Sequence, residues 1–261
     1  MLGAIAGDVI GSVYESDNVK TPDFSPLFGA WSRPTDDSVL TCAVAEWILK
    51  GAGDDLPDRL KIWFRLFPQA GYGGTFVKWA SSSSRSPYNS WGNGSAMRVS
   101  PVGFACDTLE ATLELARTSA EVTHNHEEGI RGAKAAAGAI FLARTGRTKE
   151  DIQEFARSVI GYDMSRTIDE IRPRYCFDVS CQGSVPQAIT AFLESTSWED
   201  AVRMAISLGG DSDTIACIAG SIAAPFYGGV PKPIRAEVES RLPPAMKVIL
   251  NEFLLSFPSA G

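Results

Sequence analysis

Three glycines, Gly3, Gly7 and Gly11, recur every fourth residue in an apolar N-terminal segment, and this pattern constrains the fold more than any other stretch of the chain. Leu2, Ile5, Ala6, Val9, Ile10 and Val13 fall at the i, i+3, i+4, i+7, i+8 spacing of an amphipathic helix. The glycines form a second stripe on that helix. Each costs about 1 kcal/mol relative to alanine in a helix interior, so three in register predict a partner helix packed at very short range. The segment reads as a central helix rather than a secretory signal, because it holds Asp8 and has no Lys or Arg before Lys20. No other apolar run approaches the roughly 20 residues of a bilayer span, so a soluble protein with no membrane partner is expected.

The helical period continues along the chain. Leu40, Val44, Trp47 and Ile48 repeat it after Thr35-Asp36-Asp37-Ser38, and Gly51 stands where that helix should stop. Further helices are predicted at 57–67, 107–120, 128–145, 148–160, 185–195, 197–208, 214–227, 232–241 and 244–256. Ser184-x-x-Gln187 reads as a capping box, Thr148 and Ser197 as N-caps, and Gly209 as a helix stop. No strand ladder is visible. The expected fold is all-α, a compact orthogonal helical bundle forming one domain over residues 1–261. Two long stretches lack periodicity, Asp17–Pro34 and Gln69–Ser100. The second interleaves glycines, serines and aromatics and reads as a binding loop.

Two acidic clusters carry the chemistry. Thr35-Asp36-Asp37 precedes one helix, and Asp211-Ser212-Asp213-Thr214, introduced by Gly209-Gly210, precedes another. Each offers two carboxylates and a hydroxyl within one turn. Such residues cap helices, where free N–H groups and the dipole favour negative charge. Capping needs only one acceptor, however, and adjacent carboxylates repel unless a cation offsets them. Hard divalent ions such as Mg²⁺ and Mn²⁺ take oxygen ligands, and a two-metal site needs carboxylates converging from separate segments. Asp8 and Glu15, seven residues apart, would share one side of a continuous helix, although a solvated Glu15 is the simpler reading of spacing alone.

The only histidines, His124 and His126, are too few for a mononuclear zinc site without other ligands. His124 reads either as a ligand contact or as a solvated loop residue. The five cysteines contain no C-x-x-C pair, and their odd number cannot all be paired within the chain, which suits a reduced, cytoplasmic location. A net charge of −7 argues against binding to a nucleic-acid backbone, which Lys and Arg drive by releasing counterions.

Taken in order, Gly7-Asp8-Val9-Ile10-Gly11-Ser12-Val13-Tyr14-Glu15, Thr35-Asp36-Asp37-Ser38, Gly92-Asn93-Gly94-Ser95-Ala96-Met97-Arg98, Thr123-His124 and Gly209-Gly210-Asp211-Ser212-Asp213-Thr214-Ile215-Ala216 resemble the ADP-ribosylglycohydrolase family. That family includes the dinitrogenase-reductase-activating glycohydrolase and the ADP-ribosyl-acceptor hydrolases. One such motif would be weak, but five in the family's order are specific, and the resemblance runs over about residues 1–230.

The resemblance implies a central cleft with two Mg²⁺ or Mn²⁺ ions held by Thr35, Asp36, Asp37, Asp211, Asp213 and Thr214. It implies an acid/base and gating role for Glu15, with Asp36 and Asp37 also in the catalytic group. Gly73, Ser90, Trp91, Asn93 and His124 would surround ADP-ribose; Trp91 stands where relatives often carry another aromatic. The implied activity is hydrolysis of the glycosidic bond at C1″ of ADP-ribose, on an ADP-ribosylated protein or a small ADP-ribose adduct. A catalytically inactive binding or structural relative is the alternative, and the presence of all six ligands and Glu15 argues against it. An isoprenoid synthase, also all-α with Asp-rich helix ends, is disfavoured because position 40 is Leu40 where a D-D-x-x-D motif needs its third Asp.

Overall fold

The structure is a computed structural model that describes residues 1–258. Residues 259–261, the end of the expected single domain, lie outside the described residues. Chain order gives helices α1 (Leu2–Gly11), α2 (Asp36–Leu49), α3 (Leu56–Leu66), α4 (Gly74–Ser81), α5 (Gly94–Met97), α6 (Val102–Ala105), α7 (Leu109–Glu121) and α8 (Glu127–Arg144). These are followed by α9 (Lys149–Glu154), α10 (Ile168–Ile171), α11 (Cys181–Glu194), α12 (Trp198–Ile206), α13 (Ser212–Phe226), α14 (Lys232–Arg241) and α15 (Pro244–Ser256). The fold is all-α: among the described residues the only β-type pairing is an isolated bridge between Gly92 and Ser180.

Helix α1 is buried along its whole length. Its glycine stripe faces α13, and the approach leaves no room for a side chain. A β-carbon added at Gly3 or Gly7 would overlap the carbonyl oxygen of Gly220 or Ala216, and one at Gly11 would overlap the backbone of Asp213. The predicted partner helix is thus the one that begins with the second acidic cluster. Backbone contact at Gly11 carries that cluster to the end of α1 and beside α2. Trp198 locks the same seam from α12, donating its indole N–H to the Gly220 carbonyl at 3.0 Å.

Predicted and observed helix ends agree within a few residues, and four local readings need correction. Helix α11 starts at Cys181 rather than at 185: Ser180 caps it, and Ser184, inside the helix, bonds back to the Ser180 carbonyl at 2.7 Å. The Ser184-x-x-Gln187 capping box is therefore not used. The Gly92–Ser180 bridge and the Cys181 N–H bond to the Trp91 carbonyl (2.9 Å) fix this earlier start. The stretch 69–100 is not one loop but holds α4 and α5. The 148–160 helix changes to a π-helical turn over Phe155–Ile160. Helix α1 ends at Gly11, so Asp8 and Glu15 do not share a continuous helical face; Asp8 is buried and Glu15 is exposed. Thr148 and Ser197 do cap α9 and α12, and Gly209 follows α12 at φ +69°. No helix among the described residues is long and apolar enough to cross a membrane.

Candidate metal centre and ligand cleft

The two acidic clusters meet at the floor of a cavity of about 550 Å³. The first opens α2. Thr35 is its N-cap, its hydroxyl accepting the Asp37 N–H at 3.3 Å, so Asp36 and Asp37 occupy the first turn. What holds this turn is a residue of α1. The Asp8 carboxylate accepts the backbone N–H groups of Thr35 (3.0 Å) and Ser38 (3.1 Å) and the Thr35 hydroxyl (2.6 Å), together with the Ser38 hydroxyl. Asp8 thus satisfies helix donors from outside the helix, three of them at Oδ2 and one at Oδ1.

The second cluster opens α13. Gly209 and Gly210 both have positive φ, +69° and +68°, a conformation that favours glycine, and they turn the chain sharply from α12 into Asp211. The Asp213 carboxylate accepts its neighbour's N–H, that of Thr214, at 2.9 Å, and the Thr214 hydroxyl donates across to Asp37 at 3.2 Å. Asn93 donates its amide to Asp211 at 2.6 Å. Carboxylate oxygens of Asp8, Asp37 and Asp213 lie within 4.8 Å of one another, and so do those of Glu15, Asp211 and Asp213. Asp213 belongs to both groups, and either group could hold a cation.

Electrostatics point the same way. Desolvation, then the charge of Asp8 and Asp211, pushes the Asp36 carboxyl up to about 8. Burial followed by neighbouring carboxylates raises Asp37 and Asp213 well above the usual range. Burial raises Asp211 against the hydrogen bonds that stabilise its anion. Glu15 is raised by desolvation and by Asp211 and Asp8. The Asp37 Oδ1 atom is buried with no hydrogen-bond partner. A buried carboxylate oxygen without a donor is costly, and bound cations invert this balance. The all-oxygen donor set fits Mg²⁺ or Mn²⁺ rather than a softer metal.

Of the residues expected to bind ligand, Gly73, Ser90, Asn93 and His124 line the cavity with Thr35, Asp36, Asp37, Asp211, Asp213, Thr214 and Glu15. Trp91 does not. The residue is 54% exposed and its ring lies against His126, while its carbonyl anchors the start of α11. His126 instead caps α8 with its ring. Sequence reading missed Asp8 as the anchor of α2, and also Arg33, Tyr88, Arg98, Phe177 and Val179 in the lining. Arg98 closes one of the quoted motifs, the one available signal; Phe177 and Val179 sit in a stretch with no periodic pattern.

Fold and site together define an all-helical protein with an acidic cleft, able to hold a cation, built at two helix N-termini. The chain belongs to the ADP-ribosylglycohydrolase family, whose model matches residues 1–256. It is 28% identical to ADP-ribosylhydrolase ARH3 of Bos taurus, over 87% of this chain and 84% of that one. It is 25% identical to ADP-ribosylarginine hydrolase Tri1 of Pseudomonas putida, over 87% of this chain and 69% of that one. In fold it is similar to a solved structure titled ADP-ribosylglycohydrolase-related protein complex, with a TM-score of 0.70, 24% identity, and coverage of 96% of this chain and 97% of that one.

Proposed function

We propose that this protein is a divalent-metal-dependent hydrolase that cleaves the glycosidic bond at C1″ of ADP-ribose, releasing ADP-ribose from a modified side chain or a small adduct. The observation that carries this reading is the convergence of Asp36, Asp37, Asp211, Asp213 and Glu15 on one cavity, with Asp37 Oδ1 left without a donor. The names of the similar proteins, an ADP-ribosylhydrolase and an ADP-ribosylarginine hydrolase, support ADP-ribose as the common part of the substrate.

Thr35, Asp36, Asp37, Asp211, Asp213 and Thr214 would hold two Mg²⁺ or Mn²⁺ ions. Such ions supply Lewis acidity, substrate orientation and a lowered pKa for water. The chain's own residues do the rest. Asp8 fixes the first turn of α2, and Asn93 fixes the rotamer of Asp211, so the donor oxygens are preorganised. Glu15 stands at the cavity with its carboxyl raised by desolvation and by the charges of Asp211 and Asp8, the direction that favours accepting and returning a proton at the leaving atom or the attacking water. Ser90, Asn93 and His124 offer polar groups to the ribose and phosphates, and Gly73 leaves space for a close approach.

The test is a panel of serine-linked, arginine-linked and O-acetyl ADP-ribose substrates assayed with Mg²⁺, with Mn²⁺ and after EDTA. Metal-dependent release of ADP-ribose from at least one is expected. Full activity after EDTA would overturn the metal assignment, and ADP-ribose binding with no release from any substrate would favour the non-catalytic relative.

A further inference from the structure

Arg98 is fully withdrawn from solvent, lines the cavity, and has no charged hydrogen-bond partner. Its Nη2 donates to the Ser119 carbonyl (2.9 Å) and the Thr123 hydroxyl (2.8 Å), while Nε and Nη1 have no partner. Thr123 Oγ1 in turn lies 2.7 Å from Nδ1 of His124.

Counting protons through this chain assigns the histidine. A guanidinium only donates, so Arg98 takes one lone pair of the Thr123 hydroxyl. Thr123 is fully buried, and the other partner of its hydroxyl is Nδ1 of His124; a hydroxyl proton left without an acceptor there would be costly. The single hydroxyl proton of Thr123 is then left for Nδ1 of His124. With Nδ1 accepting, the proton of a neutral imidazole sits on Nε2. That nitrogen lies at the cavity wall: a β-carbon at Gly94 would stand 3.1 Å from it, and Gly94 and His124 both line the cavity.

We propose that Arg98 is a positioning residue that acts through Thr123 to lock His124 as the neutral Nε2–H tautomer, a fixed hydrogen-bond donor aimed at an anionic, oxygen-rich part of the ligand. Burial and the neighbouring guanidinium hold the His124 pKa well below the usual range, so the ring does not gain a second proton. A protonated Nδ1 would also leave the buried Thr123 hydroxyl proton without an acceptor. The cavity therefore has a donor, the Nε2–H of His124 set by Arg98 and Thr123, in addition to its acidic floor. This suits a nucleoside diphosphate that carries phosphate charge at one end and sugar hydroxyls at the other. The identity of that ligand rests on the function proposed above; the tautomer does not.

Because the chain has only two histidines, ¹⁵N-histidine labelling yields two ring systems that His126→Asn assigns. In ligand-free protein near pH 7, His124 is expected to show a pyridine-type Nδ1 and a pyrrole-type Nε2. Thr123→Val keeps the shape and removes the hydroxyl; it should produce a tautomer mixture and weaken ADP-ribose binding about tenfold, the value of one hydrogen bond. Thr123→Ser should restore both. Arg98→Met frees the hydroxyl oxygen to accept from Nδ1–H and should also give a mixture. A pyrrole-type Nδ1 in the wild type, or an unchanged nitrogen pattern in Thr123→Val or Arg98→Met, would overturn the proposal. If the wild type shows the expected tautomer but binds no ADP-ribose, the proposed function fails and the lock stands.

Discussion

Asn93 donates its side-chain amide to the Asp211 carboxylate at 2.6 Å, joining residues 118 apart in sequence at the wall of the cavity. The Asn93 backbone N–H is itself tied to the Val179 carbonyl at 2.7 Å, so the glycine-rich segment, the start of α13 and the approach to α11 meet at one residue. Asn93 thereby decides which oxygen of Asp211 remains free for a cation.

Replacing it is expected to loosen that carboxylate without removing any ligand. Asn93→Leu, of similar volume, should weaken Mn²⁺ binding by about 10- to 100-fold, the usual effect of losing a partner that orients a ligand. Titration calorimetry reads this directly. Unchanged affinity would reduce the contact to packing.

Asp36→Ala and Asp211→Ala should each abolish turnover with little loss of fold, since removing one clustered carboxylate relieves repulsion while vacating a ligand position. Pure helix capping predicts the opposite pattern. Stability would then fall by about 1 kcal/mol, with metal content and activity near wild type.

Glu15→Gln should retain both metals and ADP-ribose affinity and lower turnover by roughly 10²-fold or more, the range for a positioned acid/base group. Gln keeps the size and removes the titratable proton. Metal analysis beside steady-state kinetics separates the outcomes: lost metal would make Glu15 a ligand, and unchanged turnover would make it a surface residue.

Metal-stripped protein should become less stable as pH rises. The folded-state pKa of Asp36, about 8, lies above its ordinary value of 3.8, and Asp37 and Asp213 shift in the same direction. The native state therefore holds these protons more tightly than the unfolded chain. Stability from this source is full below about pH 4 and is lost as pH climbs towards about 8. Thermal melting in EDTA should show Tm falling across that window, and saturating Mn²⁺ should flatten the slope by replacing protons with a cation. A Tm independent of pH in EDTA would contradict the electrostatic account of the site.

Gly7→Ala should destabilise the protein by about 1–3 kcal/mol, the range for overpacking a filled core, despite alanine's better helix propensity. Denaturant unfolding measures it. A neutral or stabilising effect would mean that α1 and α13 are not in backbone contact at Ala216.

Much of this molecule is readable from its sequence because helices announce themselves locally. The apolar period, the caps at Thr148 and Ser197, and the stop at Gly209 depend on residues within a few positions of one another. The glycine stripe also told that α1 needs a close neighbour, since three unfavourable residues in register have no local benefit. Sequence alone likewise displayed the two acidic clusters at helix starts. Only tertiary structure decided that α13 is the neighbour, which brings those clusters together around one cavity. Packing also aimed Asp8 into the open N–H groups of α2, buried Arg98 beside Thr123 and His124, and left Trp91 outside the lining. The physical reason is common to all of these. A helix follows from torsions and bonds four residues apart, whereas what a carboxylate or a guanidinium faces depends on segments 21 to 177 residues away, joined only when the core closes.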